Sequence, residues 1–166
     1  MKEIIAAEDR EHLENLIKEH IDKYWNNCSL NHIDISYVMD LSKLFFNFPK
    51  FNWDISKWNI TNVKDMSFMF MFSDFNWDIS KWNVSWVVDT SFMFYGSKFN
   101  WNLKKWNVSN ITNMSYMFAN SEFEWDISKW KLHPLWNYDG FLWVKTKLKP
   151  KNIPYLEWVS SINYFK

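Results

Sequence analysis

Apolar and polar positions recur along this chain in a frame of 24 residues. Phe51, Phe75, Phe99 and Phe123 each open a unit. The units read FNWDISKWNITNVKDMSFMFMFSD, FNWDISKWNVSWVVDTSFMFYGSK and FNWNLKKWNVSNITNMSYMFANSE, and FEWDISKW starts a fourth before the pattern decays. An earlier partial unit, CSLNHIDISYVMDLSKLF at 28–45, maps onto WDISKWNITNVKDMSFMF at 53–70 with an offset of 25, the extra residue falling in FNFPK. After the fourth start, KLHPLWNYDGFL keeps apolar residues at Leu132, Leu135, Tyr138, Phe141 and Leu142 while Pro134 and Gly140 interrupt it, as befits the last unit of an array.

Within one unit the apolar positions are Phe51, Ile55, Trp58, Ile60, Val63, Met66, Met69 and Phe70, a spacing that fits neither one helix nor one strand. Trp58-x-Ile60 alternates like a short strand, whereas Val63, Met66, Met69 and Phe70 step by three and one, as in a helical or 3₁₀ turn. Strand then turn at a fixed period predicts an α/β solenoid: one unit cannot bury its own apolar edge, so stacked neighbours supply the core and every frame position becomes a column. Leu13, Leu16, Ile17, Ile21 and Tyr24 mark one face of a helix over roughly 9–24, with Asp9 at its N-cap. At the other end Pro154 opens a second helical pattern, with Leu156, Val159 and Ile162 in PYLEWVSSINYF. The chain therefore reads as a single repeat domain over 1–166: an N-terminal cap helix within 1–27, repeats over 28–142 and a C-terminal cap over 143–166.

Composition sharpens this picture. Thirteen Trp and 15 Phe stand beside only 2 Gly, so turns must be built from Asn, Asp and Ser. The formal charge is zero, with acidic residues gathered in 1–25 and basic ones in 131–166, so the surplus expected of a nonspecific nucleic-acid binder is missing. The start MKEIIAAEDREH has neither the apolar stretch of a signal peptide nor a lipid-attachment cysteine, and no apolar run reaches the ~20 residues that span a bilayer. With Cys28 as the lone cysteine, a reducing, cytoplasmic setting without membrane contact is the expectation. Asn-x-Ser/Thr triplets such as NIT at 59–61 and NVS at 83–85 recur because the repeat recurs.

The frame F-N-x-D-I-S-x-W-x-V-S-x-V-x-x-M-S-x-M-F resembles the BspA-type leucine-rich repeats, a group associated with a domain of unknown function in mycoplasma lipoproteins. The resemblance covers about residues 28–142. It implies a right-handed, leucine-rich-repeat-like coil, and many relatives are surface adhesins or lipoproteins. The start, KEIIA…REHLENLIKEHI…LNHIDIS, looks like the short leaderless members. No catalytic residue is carried over by the resemblance.

Stacking turns three frame positions into candidate binding columns. Lys57, Lys81, Lys105 and Lys129, preceded by His32, form either a solvated edge or a binding stripe. Asn59, Asn83 and Asn107, flanked by Asp34 and Lys131, either bond one another along the axis or face a partner. Trp53, Trp77, Trp101 and Trp125, with Cys28 in the matching place of the first unit, occupy a site that is usually polar, commonly Gln, in the family resembled. An exposed row there would mark an interface, yet Trp53 shares its parity with Phe51 and Ile55, which would turn it inward. Enzyme chemistry finds little footing: Cys28 and His32 fall on Trp and Lys positions of the frame, and His12 and His20 lack the i+4 partner of a helical metal site. No catalytic residue, metal or cofactor is expected. The expected function is non-enzymatic binding of another protein through the surface, in a bacterial or mobile-element setting, an inhibitor of a host or defence enzyme being one form. Alternatives are a carbohydrate or single-stranded nucleic-acid binder using the Trp and Lys columns, and a surface adhesin whose leader is missing. Oligomeric state is not legible.

Overall fold

The computed structural model describes residues 3–24, 29–46, 48–141 and 146–154. Helix α1 spans Arg10–Tyr24. Asp9 caps it, its Oδ1 accepting the His12 N–H at 2.8 Å. Leu13, Leu16 and Ile17 are buried in the common core and Ile21 packs against it, whereas Tyr24 is exposed, so the apolar stripe is one turn shorter than its spacing predicts. Arg10 ties the helix to the first unit: its guanidinium donates to the carbonyls of Asp40 at 2.9 Å and Ser42 at 2.7 Å, and pairs with Glu14. Ahead of the helix, β1 (Ile5–Ala6) pairs parallel with β2 (Ile33–Asp34).

Successive units are joined by parallel bridges that run Asp40, Asp65, Asp89, Asn113, Asn137. From there the ladder continues into the turn. The N–H groups of Met66, Phe68, Phe70 and Phe72 donate to the carbonyls of Asp89, Ser91, Met93 and Tyr95, and the next unit repeats this from Thr90, Phe92, Phe94 and Gly96. The extended pairing predicted at Trp58-x-Ile60 is therefore displaced to the Asp65 column. Tight turns close on both sides of that stretch, Trp58 N–H donating to the Ile55 carbonyl at 3.0 Å and Val63 N–H to Ile60 at 2.9 Å, and leave no length for a ladder.

Turn chemistry divides in two. Asp and Asn followed two residues later by Ser build the local turns, as where Asp54 Oδ1 accepts the Ser56 N–H at 2.9 Å and Asp65 Oδ1 that of Ser67 at 2.8 Å. The left-handed positions, however, fall on Lys43, Phe68, Phe72, Phe92 and Tyr116 (φ 55–59°), with only Asn120 among the residues expected there. Ring stacking offsets the strain: Phe68, Phe92 and Tyr116 lie 4.8 Å apart, centroid to centroid, and the Lys43 ammonium sits 5.5 Å over Phe68. Glycine is needed at Gly140 and Gly96, where a Cβ would stand 2.2 Å from the Tyr116 ring and 2.5 Å from that of Phe72.

The interior is a double file of phenylalanines. Across each unit boundary Phe45–Phe51, Phe70–Phe75, Phe94–Phe99 and Phe118–Phe123 stack at 3.6, 4.0, 4.1 and 4.0 Å. Between units Phe70–Phe94 and Phe94–Phe118 follow at 5.7 Å. Val63, Met66 and Met69 flank this file and are buried. In the decaying unit Leu135 is 82% exposed and leaves the apolar register that its spacing suggests, while Trp136 is buried in its place. Cys28, Leu142 and the second helical pattern from Leu156 onward lie outside the described residues, the last stretch of which, 146–154, holds a 3₁₀ turn at Pro150–Asn152.

Candidate functional site

The side of each unit that carries FNWDISKW has few backbone bonds to its neighbour, and side chains take over that task. Both tryptophans of the frame point their indole N–H at a carbonyl of the preceding unit. In the inner file, Trp58, Trp106 and Trp130 donate to Leu30, Ile79 and Leu103 at 3.0, 3.1 and 3.0 Å. In the outer file, Trp77, Trp101 and Trp125 donate to Asn52, Asn76 and Asn100 at 3.0, 2.8 and 3.0 Å. Among the described residues the buried Trp82 nitrogen finds no acceptor. Trp106→Phe removes one of the two hydrogen bonds at the Ile79 carbonyl, which the Trp82 backbone N–H still holds, and is therefore expected to cost about 1 kcal/mol more than Trp82→Phe, which removes an unsatisfied donor; paired urea melts read the difference.

The outer file is neither a free ridge nor core. Trp77, Trp101 and Trp125 are 41%, 41% and 43% exposed, each laid across the neighbouring backbone that its N–H holds. Trp53 does not extend the row. At 4% exposure it is turned against the Phe51 ring, 5.6 Å away, because its unit is the first with the FNW start and follows no earlier one of that form.

Lys57, Lys81, Lys105 and Lys129 are all exposed and form a column of positive charge. Asn59, Asn83 and Asn107 are exposed too, but they do not bond one another along the axis. Each Oδ1 accepts from the residue two positions on, Thr61, Ser85 or Ser109, which makes them local turn builders. The asparagines that do link units are in FNW: the Asn76 N–H donates to Asn52 Oδ1 and the Asn100 N–H to Asn76 Oδ1, both at 2.9 Å. Their place beside an invariant part of the frame was the available signal.

Several exposed side chains lie outside all three columns. Phe72 stands out beside Tyr95, edge to face at 5.2 Å, and Trp86 lies under the Lys64 ammonium at 4.7 Å. Carboxylates along the frame are used structurally. At Asp54 burial works against the charged form, but hydrogen bonds from Ser56 and Asn31 and the nearby Lys57 outweigh it and hold the carboxyl below its ordinary range. Asp126 is lowered by its bonds from Ser128. Among the described residues no group of three His, Cys, Asp or Glu is placed to hold a metal, and no helix is long and apolar enough to cross a membrane.

The repeating geometry coincides with a family match. Residues 12–130 and 73–153 match the family described as "Mycoplasma protein of unknown function, DUF285". The chain belongs to this family. No curated protein and no solved structure matches it. Within the DUF285 match fall the outer tryptophans, the lysine column and the left-handed aromatic positions, so the surface described above is built on the family's own frame.

Proposed function

We propose that this chain is a BspA-type, leucine-rich-repeat-like solenoid of right-handed coil that binds another protein through its surface and performs no chemistry of its own. A cytoplasmic setting suits a chain with one cysteine, and inhibition of a bacterial host or defence protein is the form of action that surface occupation would take. The observation that carries this reading is the density of exposed aromatic side chains on a hydrogen-bonded frame: Phe72, Trp77, Trp86, Trp101 and Trp125 all stand out from it. Large exposed aromatics at this density exceed scattered surface apolarity, and Trp is enriched at binding hot spots. A frame tied unit to unit gives such residues fixed positions, which lowers the ordering cost of association.

The lysine column beside half-exposed indoles favours a second reading, a single-stranded nucleic acid or a glycan, and salt separates the two. A complex with an isolated protein partner is expected to weaken less than about tenfold between about 50 and 200 mM salt, while a ligand held on six or more phosphates would lose roughly 10³-fold or more. Fluorescence anisotropy with a labelled single-stranded oligonucleotide should register no binding; tight, salt-sensitive binding there would replace the protein partner with a polyanion.

A further inference from the structure

The repeat contains its own control. Met39, Lys64, Val88 and Thr112 form one column, since the N–H of each of the last three donates to the carbonyl of the one before. Tyr37, Asn62, Trp86 and Asn110 form the column beside it, where Asn62 and Asn110 reach back to the carbonyls of Ser36 and Ser85. In both columns the residue alternates: apolar in the first unit, polar in the second, apolar in the third, polar in the fourth. Tyr37, Met39, Trp86 and Val88 are 69%, 62%, 56% and 43% exposed. The polar units keep the same backbone bonds and add a side-chain bond from Asn62 and Asn110, so the frame does not require the apolar choices, and exposing them is unfavourable unless something covers them.

The spacing identifies the shape of the cover. Units are 4.8 Å apart by their stacked rings, so apolar groups two units apart recur about every 10 Å, close to the ~10.5 Å rise of one heptad of an α-helix. The charge identifies its sign. Asp40, Asp65 and Asp89 follow these residues in the chain and stand in one bridged column, which turns neutral at Asn113 and Asn137. Each carboxylate uses Oδ1 to accept a local N–H, of Ser42, Ser67 or Ser91, and Asn113 donates to Asp89 Oδ2. Among the described residues, however, only Asp40 has an ion-pair partner, Arg10 at 3.8 Å, which it shares with Glu14, while Lys64 is seated on the Trp86 ring.

We propose that this face receives an amphipathic α-helix of a partner protein, lying along the axis of the stack with an apolar seam on Tyr37, Met39, Trp86 and Val88 and basic residues facing Asp40, Asp65 and Asp89. The mode is that of a helix laid on an apolar strip and read by anchors one or two turns apart. A polyanion is disfavoured on this face by the same carboxylates. The proposal rests on the protein-binding reading above and narrows it to one face and one kind of partner.

The probe is a labelled synthetic helix of three heptads, with Leu at the a and d positions and Lys at e and g, titrated by anisotropy against the full chain. Two control peptides accompany it, one with Glu in place of Lys and one with the same composition and the heptad order scrambled. Expected is binding of the basic helix at least about tenfold tighter than either control, reduced at least about tenfold in the double variant Trp86→Asn/Val88→Thr. That variant installs residues already present at the same positions of the following unit, so its thermal melt should match the parent. Equal binding of the basic, acidic and scrambled peptides, or binding unchanged in the folded double variant, would overturn the assignment. Loss of the lysate-captured protein complex in that variant would support it; survival of that complex would overturn it while leaving the broader protein-binding reading intact.

Discussion

Replacing Phe94 by Ala should cost about 3–5 kcal/mol, the loss expected for deleting a fully buried ring that cannot be refilled. Phe94 stacks at 4.1 Å on Phe99, which opens the next unit, and at 5.7 Å on Phe70 and Phe118, its counterparts in the units on either side. Its own N–H donates to Met117 and Ser97 N–H donates back to its carbonyl, so the backbone around the void is pinned and collapse is limited. In a stack held by nearest-neighbour contacts, damage to a middle unit weakens two interfaces at once. Urea unfolding followed by tryptophan fluorescence should therefore show a lower midpoint and a broader transition. A loss under ~1 kcal/mol would mean that the phenylalanine file does not hold the units together.

The second large effect concerns the outer tryptophans. Trp77→Gln together with Trp101→Gln is expected to lower stability by about 2–4 kcal/mol, between the values for a free ridge and for a buried core. Each indole covers on the order of 100 Å² of apolar surface at about 25 cal/mol/Å², and glutamine recovers part of that through its stem and its own N–H donors. The two losses should not simply add, because Asn76 serves both sites: its N–H donates to the side chain of Asn52, whose carbonyl holds the Trp77 indole, and its own carbonyl accepts the Trp101 indole. Single and double variants melted side by side measure the coupling. A double loss below about 0.5 kcal/mol would show the indoles to be ornamental to the frame, and one above about 6 kcal/mol would place them in the core.

The frame positions that bury a methyl or a ring were legible from spacing alone: Val63, Met66, Met69 and Phe70 are all fully covered, and Asp9 caps the first helix. Where the backbone pairs was not legible, because Trp58-x-Ile60 has the alternation of a strand but too little room between its flanking turns. Nor could parity place the outer tryptophans. Their orientation is set by an indole N–H seeking a carbonyl in the neighbouring unit, a tertiary demand that leaves no mark in the local pattern. Trp53 shows the limit of treating repeats as identical, since the first unit of a file has a different neighbour from the rest. Tyr37, Met39, Trp86 and Val88 are exposed and depart without structural need from the polar residues at the same positions of neighbouring units.

The most direct test of the surface-binding role is native mass spectrometry of the tagged chain captured with its bound species from a lysate under non-denaturing conditions. Expected is a complex of fixed stoichiometry whose added mass is an intact protein and which persists as salt is raised. Added mass that proves to be polynucleotide or glycan, or a captured protein that returns chemically altered by the chain, would contradict it.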